Sequence, residues 1–396
     1  MSDLPSILHV SGDFPDPVEP HKTKVIRTLL ELTKHRFEHS VVSINRRSPG
    51  KLAILKDVIA PGGLHLDAQD FEYGTAVSYE APPRGIRHRT RLVQLGDWLA
   101  QHIQSLKRRP DLIIGHKLAI EGIAVRRASQ ITGIPYALSI QGDSDTKIMS
   151  VRRDLKGEFQ SVLHGAKLVF PFTPWAWNAV TRQVGVPDAP HVMLPCPTDL
   201  DEPMPPQASS ASGTGSRGLI SVFHLQSYKR KNLAGLASAA QLLEKRGVSA
   251  PLSVIGGGEP AERSACEAIV EGVSSITLTG PMDREQLRAA MRNASGFVLP
   301  SLRESFGLVF VEALFAGLPI IYPKGTAVDG YFDDAPFALP VDARDPNSIA
   351  EAMATLVDNE DQMKLELAKW QTSEDAKAFQ RPGIAQKFAA AIESAI

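Results

Sequence analysis

The sequence predicts an α/β protein built from two doubly wound, Rossmann-like domains that face a central cleft. Three observations support this fold class. The length of 396 residues suits two large domains better than one. Short apolar runs bounded by Gly, Pro or Asp alternate with helical patterns, which is typical of parallel sheets covered by helices on both faces. Residues 200–217 are rich first in Pro and then in Ser and Gly, a composition that indicates a linker between two halves.

The predicted strands form two series, one on each side of the linker. The first half contains Ile7–Val10, Val41–Ile44, Leu112–Ile114, Tyr136–Ile140, Leu168–Phe170 and Val192–Leu194. The second half contains Leu219–Phe223, Leu252–Ile255, Ile276–Leu278, Phe297–Leu299, Ile320–Tyr322 and Phe337–Leu339. Helical patterns occur at Ile26–Lys34, Leu92–Leu106, Leu233–Leu243, Arg284–Met291, Phe310–Phe315 and Phe379–Ile396. We therefore predict one domain over residues 1–199 and a second over 218–378, with a ligand site in the cleft between them.

Composition and charge exclude several classes of protein. Lys and Arg total 43 against 44 Asp and Glu, so bulk charge does not predict nucleic-acid binding. Two distant cysteines, Cys196 and Cys266, indicate neither a disulfide framework nor a zinc ribbon. We see no signal peptide, and no apolar run reaches the ~20 residues of a membrane-spanning helix. The expectation is a cytoplasmic protein, soluble or peripheral at the inner face of a membrane.

The charge is divided unevenly between the halves. Residues 1–199 carry a net +5 and residues 200–396 a net −6. The basic half includes a cluster before the predicted helix at Leu92, formed by Arg84, Arg87, His88, Arg89 and Arg91. Such a cluster fits an anionic membrane surface or a phosphorylated acceptor, and it equally fits a solvated helix face.

Residues 298–321 are the most informative segment, because a strand, a loop and a helix occur there with two glutamates. The helix is expected to start near Ser305–Gly307, with Ser305 as its N-cap, and to stop at Gly317. Unpaired backbone N–H groups at such a start attract phosphate. We expect them at Phe306, Gly307, Leu308 and Val309.

Two carboxylates bracket this anion site. Glu304 precedes the first turn, and Glu312 lies within a very apolar helix, where an unpaired charge is costly. If the segment is helical throughout, the eight residues from Glu304 to Glu312 rise ~12 Å, roughly the reach of a diphosphate with a sugar at each end.

This segment resembles the glutamate-x7-glutamate signature of retaining GT-B glycosyltransferases of the large family-four type. The likeness extends over Leu219–Ile321 and includes the strand and glycine turn at Leu252–Gly258. The resemblance implies that Glu312 binds the nucleotide ribose and that Glu304 binds donor-sugar hydroxyls near the reacting carbon. It implies that the backbone of residues 305–309 holds the sugar and diphosphate, and that Pro281 and Met282 face the base. It also implies that the C-terminal helix, 379–396, packs on the first domain.

The family places an arginine and a lysine after the first strand of the second domain to neutralise the leaving diphosphate. Lys231 resembles the lysine, whereas His224 stands where the arginine is usual. Lys229 or Arg230 can supply the second cation, because three adjacent cations at a strand-to-helix turn suit a diphosphate. A solvated basic turn is the alternative interpretation.

The first half matches the family less closely, and its residues are candidates for the acceptor side. Lys22 lies in the first loop, where the family often has a Gly-Gly pair. His116 follows a strand at its carboxyl edge, and it is as consistent with a structural role as with a functional one. Asp143 can contact an acceptor hydroxyl or serve as a turn aspartate beside Gly142.

Together with this resemblance, the sequence predicts a retaining hexosyltransferase that depends on a nucleotide sugar. It would move a sugar from a UDP- or GDP-sugar to a saccharide or lipid-linked acceptor in envelope or exopolysaccharide synthesis. We expect no metal ligands, no cofactor beyond the donor and no nucleic-acid partner. The first domain would bind the acceptor and the second the donor. The alternatives are a non-catalytic nucleotide-sugar-binding scaffold and a sugar-nucleotide epimerase of the same fold.

Overall fold

The computed structural model describes residues 4–48, 62–82, 85–207 and 218–396. The chain divides into two compact units. The first unit consists of Met1–Pro197 and Pro382–Ile396, and the second of Thr198–Arg381. Residues 208–217 of the predicted linker, and Arg84 of the basic cluster, lie outside the described residues.

The first unit contains a seven-stranded sheet in the order β3-β4-β2-β1-β5-β6-β7. Its strands are β1 (Ser6–Ser11), β2 (Glu38–Arg47), β3 (Leu66–Phe71), β4 (Gly74–Glu80), β5 (Leu112–Gly115), β6 (Tyr136–Ile140) and β7 (Leu168–Pro171). All neighbouring strands pair in parallel except β3, which runs antiparallel to β4 at the edge. The buried runs of β1, β5 and β6 agree with the continuous apolar patterns by which they were predicted.

In the described ranges of the first unit up to Pro197, six α-helices accompany these strands. They are α1 (Val25–Thr33), α2 (His88–Ser105), α3 (Glu121–Thr132), α4 (Asp143–Val151), α5 (Lys156–His164) and α6 (Pro174–Val184). The sequence determines where α6 begins. The hydroxyl of Thr173 accepts from the N–H of Ala176 and caps the first turn, and Pro174 is the first helical residue.

Two features of this sheet differ from the sequence prediction. The hairpin β3–β4 was not predicted. Strand β3 is polar and largely exposed, and β4 was missed although its residues Thr75–Tyr79 are buried. The predicted strand at Val192–Leu194 is instead an extended segment with a single bridge, His191 to Val169. Its N–H groups still bond to the backbone of β7, Val192 to Val169 at 2.9 Å and Leu194 to Pro171 at 2.9 Å.

The second unit contains a six-stranded parallel sheet in the order β10-β9-β8-β11-β12-β13. Its strands are β8 (Leu219–Val222), β9 (Leu252–Ile255), β10 (Ile276–Gly280), β11 (Gly296–Val298), β12 (Ile320–Pro323) and β13 (Ala338–Val341). The chain moves outward from β8 in one direction and then returns to β11 on its other side. The carboxyl ends of β8 and β11 therefore form a topological switch point, the usual ligand position in doubly wound sheets.

Its helices are α7 (Leu233–Lys245), α8 (Pro260–Val270), α9 (Arg284–Arg292), α10 (Leu308–Phe315), α11 (Pro346–Asp358), α12 (Glu360–Gln371) and α13 (Glu374–Lys377). Helices α8 and α9 each begin with a capping box, at Glu259 with Glu262 and at Asp283 with Gln286.

The last helix, α14 (Arg381–Glu393), returns to the first unit from Pro382 onward. Its Ile384, Phe388 and Ile392 are buried, and Phe388 packs on Phe170 of β7 at 5.1 Å between ring centroids.

The two points where the chain enters and leaves the second unit are joined. The backbone N–H of Arg381 donates to Oδ2 of Asp201 at 2.6 Å, and its guanidinium Nη2 lies 3.0 Å from Oδ1. Asp201 is 4% exposed, so the first residues of the predicted linker are fixed on the second unit.

Candidate donor site in the second unit

The basic turn after β8 meets the glutamate loop after β11. The ammonium of Lys231 forms an ion pair with Oε2 of Glu304, and both side chains are only 12% exposed. Nη1 of Arg230 lies 3.9 Å from Oε1 of the same carboxylate. The backbone supports this pairing, because the N–H of Leu302 donates to the carbonyl of Arg230 at 2.8 Å. The structure thus brings together Glu304 and two of the predicted cations.

The other two predicted residues of this turn lie nearer the solvent. Lys229 is exposed, and its ammonium stands 5.6 Å from the ring centroid of Tyr228. His224 is also exposed and caps a short 3₁₀ helix, accepting at Nδ1 from the N–H of Gln226 at 3.2 Å. Both therefore flank the Lys231–Glu304 pair without contributing to it.

A residue that the sequence did not indicate fixes the backbone of Glu304. The N–H of Glu304 donates to the hydroxyl of Thr326 at 2.9 Å, and that hydroxyl donates back to the carbonyl of Glu304. The N–H of Ala327 adds a longer bond to the same carbonyl at 3.4 Å. Thr326 lies in the loop after β12, so the glutamate loop is held by both neighbouring strand ends.

The helix after the glutamate loop begins later than predicted. Gly307 is its N-cap, with a φ of 75° that favours glycine, and Leu308 is the first helical residue. Ser305 is therefore not the N-cap, and the estimate of a continuous helical rise from Glu304 to Glu312 is wrong. Leu308 and Val309 carry the first N–H groups of the helix, which have no intrahelical partner.

Phe306, which was predicted to offer its backbone to the ligand, has a buried side chain. It is 3% exposed and meets Tyr331 edge-on at 6.2 Å between ring centroids. Gly307, Leu308 and Val309 remain partly exposed. An anion could therefore reach the backbone N–H groups of these three residues.

Glu312 lies one turn further along α10 and is held by a threonine. The hydroxyl of Thr198 donates to Oε1 of Glu312 at 2.6 Å. Burial raises the pKa of the Glu312 carboxyl, while the hydrogen bond from Thr198 and the charge of Arg284 lower it. Asp199, whose charge raises the same pKa, lies 3.8 Å from Nη1 of Arg284. Sequence reasoning missed Thr198, since it precedes Glu312 by more than a hundred residues.

The predicted base-binding loop lies beside the glycine turn after β9. A Cβ on Gly256 would stand 1.8 Å from the carbonyl oxygen of Phe223, so only glycine fits there. A Cβ on Gly257 would touch the ring of Pro281 at 3.3 Å. Pro281 is exposed and Met282 partly exposed, which leaves both available to a ligand.

The three acceptor-side candidates of the first unit occupy different environments. Lys22 is bound to Asp16 at 3.0 Å, with its ammonium 3.3 Å from the hydroxyl of Ser43. Asp143 is the first residue of α4 and partly exposed. His116 is 1% exposed, so it offers no surface to an acceptor in this structure.

His116 instead belongs to a chain of buried histidines that crosses three neighbouring strands. Nε2 of His116 lies 3.0 Å from Nδ1 of His9, and Nε2 of His9 lies 3.0 Å from Nδ1 of His39. Hydroxyls end the chain, Ser139 at 3.3 Å from His116 and Thr33 at 3.0 Å from His39. Burial lowers the pKa of His39 to about 4 and that of His116 to about 3, and it lowers the pKa of His9 well below its usual value. The three imidazoles are therefore neutral at physiological pH.

A second polar group, also missed from the sequence, lies at the carboxyl ends of β1 and β5. Lys117 pairs with Asp13 at 2.6 Å, and Glu121 accepts from the N–H of Gly12 at 2.6 Å. Burial raises the pKa of Glu121 to about 7 and that of Asp145 to about 6. Glu121 and Asp145 are thus buried beside the loops that follow β1 and β5. Their proximity depends on the tertiary fold, so the sequence alone does not reveal it.

Helix α2 begins earlier than predicted, so His88, Arg89 and Arg91 of the basic cluster lie within its first turn. These residues are largely engaged within the first unit. Arg91 is buried and donates to the carbonyls of Gly62 and Gly63 at 3.2 and 3.1 Å. A ring nitrogen of His88 lies 2.7 Å from the carbonyl of Ala119. Arg89 pairs with Glu158 at 2.5 Å.

Within residues 4–48, 62–82, 85–207 and 218–396, no group of three or more His, Cys, Asp or Glu side chains is arranged to hold a metal ion. In the same ranges, no helix combines the length and apolarity needed to cross a bilayer.

Comparison with known proteins supports the sequence resemblance. Residues 217–359 match the family model described as "Glycosyl transferases group 1". A D-inositol 3-phosphate glycosyltransferase of Corynebacterium urealyticum is 31% identical over 135 residues, which is 32% of this chain and 32% of that protein. The chain thus aligns with about a third of the length of this curated relative.

Solved structures share the fold of the whole chain. Sucrose-phosphate synthase from Thermosynechococcus elongatus matches with a TM-score of 0.67 and 18% identity over 98% of each chain. The Anabaena protein HepE in complex with UDP matches with a TM-score of 0.63 and 13% identity, over 99% of this chain and 100% of that one.

The two doubly wound units have the fold of the solved GT-B glycosyltransferases to which the chain is similar. The resemblance inferred from sequence and the predicted fold class are both confirmed. More particularly, residues 217–359 are similar to the group 1 glycosyl transferases.

Proposed function

We propose that the chain is a retaining glycosyltransferase that moves a hexose from a nucleotide-diphosphate sugar to a saccharide or lipid-linked saccharide. The observation that carries this proposal is the pairing of Glu304 with Lys231, with Arg230 3.9 Å away, in front of the first turn of α10. In this arrangement, the carboxylate of Glu304 can accept hydrogen bonds from sugar hydroxyls. Two cations and a helix start that can bind an anion lie in the neighbouring loops.

In the proposed reaction, the acceptor hydroxyl attacks the anomeric carbon on the face from which the diphosphate leaves. The bond from the acceptor oxygen to the anomeric carbon forms, and the bond from that carbon to the diphosphate oxygen breaks. The departing phosphate oxygen takes the acceptor proton, so the mechanism requires no separate base. The protein supplies orientation and charge neutralisation.

Each residue of the cluster has a part in this scheme. Lys231 and Arg230, with Lys229 nearby, neutralise the leaving diphosphate, and the N–H groups of Leu308 and Val309 bind its oxygens. Glu304 binds hydroxyls of the donor sugar. Glu312 binds the nucleotide ribose, and we propose that no metal ion takes part, because the cations of the basic turn serve the same purpose.

The acceptor and its pathway belong to the proposal as well. We assign the first unit to acceptor binding and the protein to envelope or exopolysaccharide synthesis, working at the inner face of a membrane. The relative named for D-inositol 3-phosphate adds a phosphorylated polyol to the acceptors worth testing. Flotation with liposomes that contain anionic lipids tests the membrane part, and absence of the protein from the lipid fraction would contradict it.

Calorimetric titration with UDP, GDP and ADP in the presence of EDTA tests the donor site. We expect selective binding of one nucleotide without metal. Glu312→Ala should weaken that binding by ~2 kcal/mol, the worth of a charged hydrogen bond. Glu351, an exposed glutamate of α11, provides the matched control, and Glu351→Ala should bind as the wild type does.

The outcomes distinguish the proposal from its rivals. Binding with transfer to an acceptor supports the transferase. Binding with release of free sugar, and no use of an acceptor, would favour the epimerase, and binding without turnover would favour the scaffold. Wild-type affinity in a folded Glu312→Ala variant would contradict the assignment of Glu312.

A further inference from the structure

Thr198 is the first residue of the second unit and is almost fully buried, with 4% of its surface exposed. Both roles of its hydroxyl are used. The hydroxyl donates to Oε1 of Glu312 at 2.6 Å and accepts from the N–H of Leu200 at 3.2 Å. Because the N–H of Leu200 already occupies a lone pair of the hydroxyl oxygen, the hydroxyl hydrogen of Thr198 points to the carboxylate of Glu312.

The two oxygens of Glu312 differ as a result. Oε1 is engaged by Thr198, whereas Oε2 accepts no hydrogen bond from any other residue in the described ranges. Glu312 is only partly buried, so Oε2 can reach a ligand. A carboxylate held through one oxygen presents the other in a defined direction.

We propose that Thr198 is a positioning residue of the donor site, which holds Oε1 of Glu312 so that Oε2 receives a ribose hydroxyl of the nucleotide. This inference rests on the proposed role of Glu312. Thr198 does not contact the nucleotide in this scheme, and its effect passes entirely through the carboxylate.

The electrostatic surroundings give Thr198 a second effect, on the charge of Glu312. Burial raises the pKa of this carboxyl, and the hydrogen bond from Thr198 is the largest influence that lowers it. The charged groups that act on Glu312 are Arg284, which lowers the pKa, and Asp199, which raises it. Arg284 and Asp199 pair with each other at 3.8 Å and are mostly exposed, and Arg381 also approaches Asp199 at 3.7 Å. Solvent and mutual pairing weaken their action on the carboxylate.

Removing the hydroxyl of Thr198 should therefore change the pH dependence of nucleotide binding, which a simple packing defect would not do. In Thr198→Val, Glu312 loses its bound partner and its pKa rises further. As the pH is lowered, Glu312 therefore becomes protonated at a higher pH in this variant than in the wild type. An uncharged carboxyl binds a ribose hydroxyl less well than a carboxylate does. Thr198→Ser retains the hydroxyl and serves as the conservative variant.

Titration calorimetry of the full chain with UDP, GDP and ADP, each between pH 5 and pH 8, tests the inference. Thr198→Val should weaken nucleotide binding about tenfold at neutral pH, the loss expected for a hydrogen bond to a charged group. Its affinity should also begin to fall at a higher pH than that of the wild type. Thr198→Ser should stay within about twofold of the wild type, and melting curves of each variant verify folding.

Two results would overturn the inference while leaving the proposed function intact. One is wild-type affinity for Thr198→Val at every pH, and the other is a loss that is equal at all pH values, which marks a purely structural role. Both are read beside Glu312→Ala, which must bind weakly if the proposed function holds. Wild-type affinity in Glu312→Ala, or no binding of any nucleotide to the wild type, would overturn the proposed function and the inference with it.

Discussion

Lowering the pH should destabilise the first unit, because the histidine chain His39–His9–His116 stays neutral in the folded protein. Each of these imidazoles is bonded to a neighbour in the chain, and burial opposes their protonation. In the unfolded chain the same side chains titrate near ~6.5. Below that pH the unfolded state therefore binds more protons than the folded state, and the free energy of unfolding falls as the pH falls.

The magnitude follows from the positions of these pKa values. A histidine that titrates at ~6.5 when unfolded and below ~5 when folded costs ~2 kcal/mol of stability between pH 7 and pH 5. The pKa values of His39, about 4, and of His116, about 3, satisfy this condition, and that of His9 lies well below its usual value. His39 and His116 together amount to ~4 kcal/mol over this interval, and His9 acts in the same direction.

Two buried carboxyls of the same unit act in the opposite direction. The pKa of Glu121 is raised to about 7 and that of Asp145 to about 6, so both favour the folded state as the pH falls from 7 to 5. The total pH dependence of the wild type therefore mixes both effects. The difference between the wild type and a variant isolates the histidines.

The test compares His39→Gln with the wild type by urea unfolding at pH 5, 6 and 7. Three of the four tryptophans lie in the first unit, so their fluorescence reports mainly on it. The variant should lose ~2 kcal/mol less than the wild type between pH 7 and pH 5. His35 is exposed and outside the chain of rings, and His35→Gln should behave as the wild type does. An equal loss in His39→Gln and wild type would refute the reasoning.

Two further predictions concern the second unit. Thr326→Val removes the hydroxyl that binds both backbone groups of Glu304, so kcat should fall by roughly 10- to 100-fold while nucleotide affinity measured by calorimetry stays near that of the wild type. A wild-type kcat would contradict this positioning role. Gly256→Ala would bring a Cβ to 1.8 Å from the carbonyl oxygen of Phe223, so the second unit should lose more than ~2 kcal/mol of stability. A thermal midpoint unchanged from the wild type would show that the turn adapts.

The sequence predicts most of the strands that are buried on both faces, although β4, with Thr75–Tyr79 buried, was missed. Tyr136–Ile140 and Leu252–Ile255 were predicted with the bounds that the structure has, because central parallel strands consist of short apolar runs. Strand β3 was missed, because an exposed edge strand with polar residues carries no such pattern. The segment at Val192–Leu194 has the right composition, yet it forms only a bridge.

The candidate site shows the same division between local and tertiary information. Glu304, Glu312 and Lys231 could be found because each lies in a short segment with its own chemical pattern. Thr198 and Thr326 could not, since a threonine has no distinctive spacing and each meets its glutamate only after folding. The start of α10 was misplaced by a few residues, because a left-handed glycine can cap a helix as a serine can.

The histidine chain lies beyond sequence reasoning for a related reason. Its three members lie on β1, at the start of β2 and directly after β5, and no short motif joins them. Their contact depends on the order in which the sheet places those strands, β2-β1-β5. A histidine at a strand end therefore had two equally good interpretations until the neighbouring strands were known.

The return of α14 to the first unit has a consequence for synthesis on the ribosome. Strands β1–β7 are made first, but Phe388 and the other buried residues of the last helix are made only after residues 198–381. At about 5–20 residues per second, the intervening stretch occupies the ribosome for roughly 10–40 s. During that time the side chain of Phe170 lacks its aromatic neighbour, so the nascent first unit exposes an apolar patch that chaperones can recognise. The second unit is translated without interruption and can complete its own core before the first.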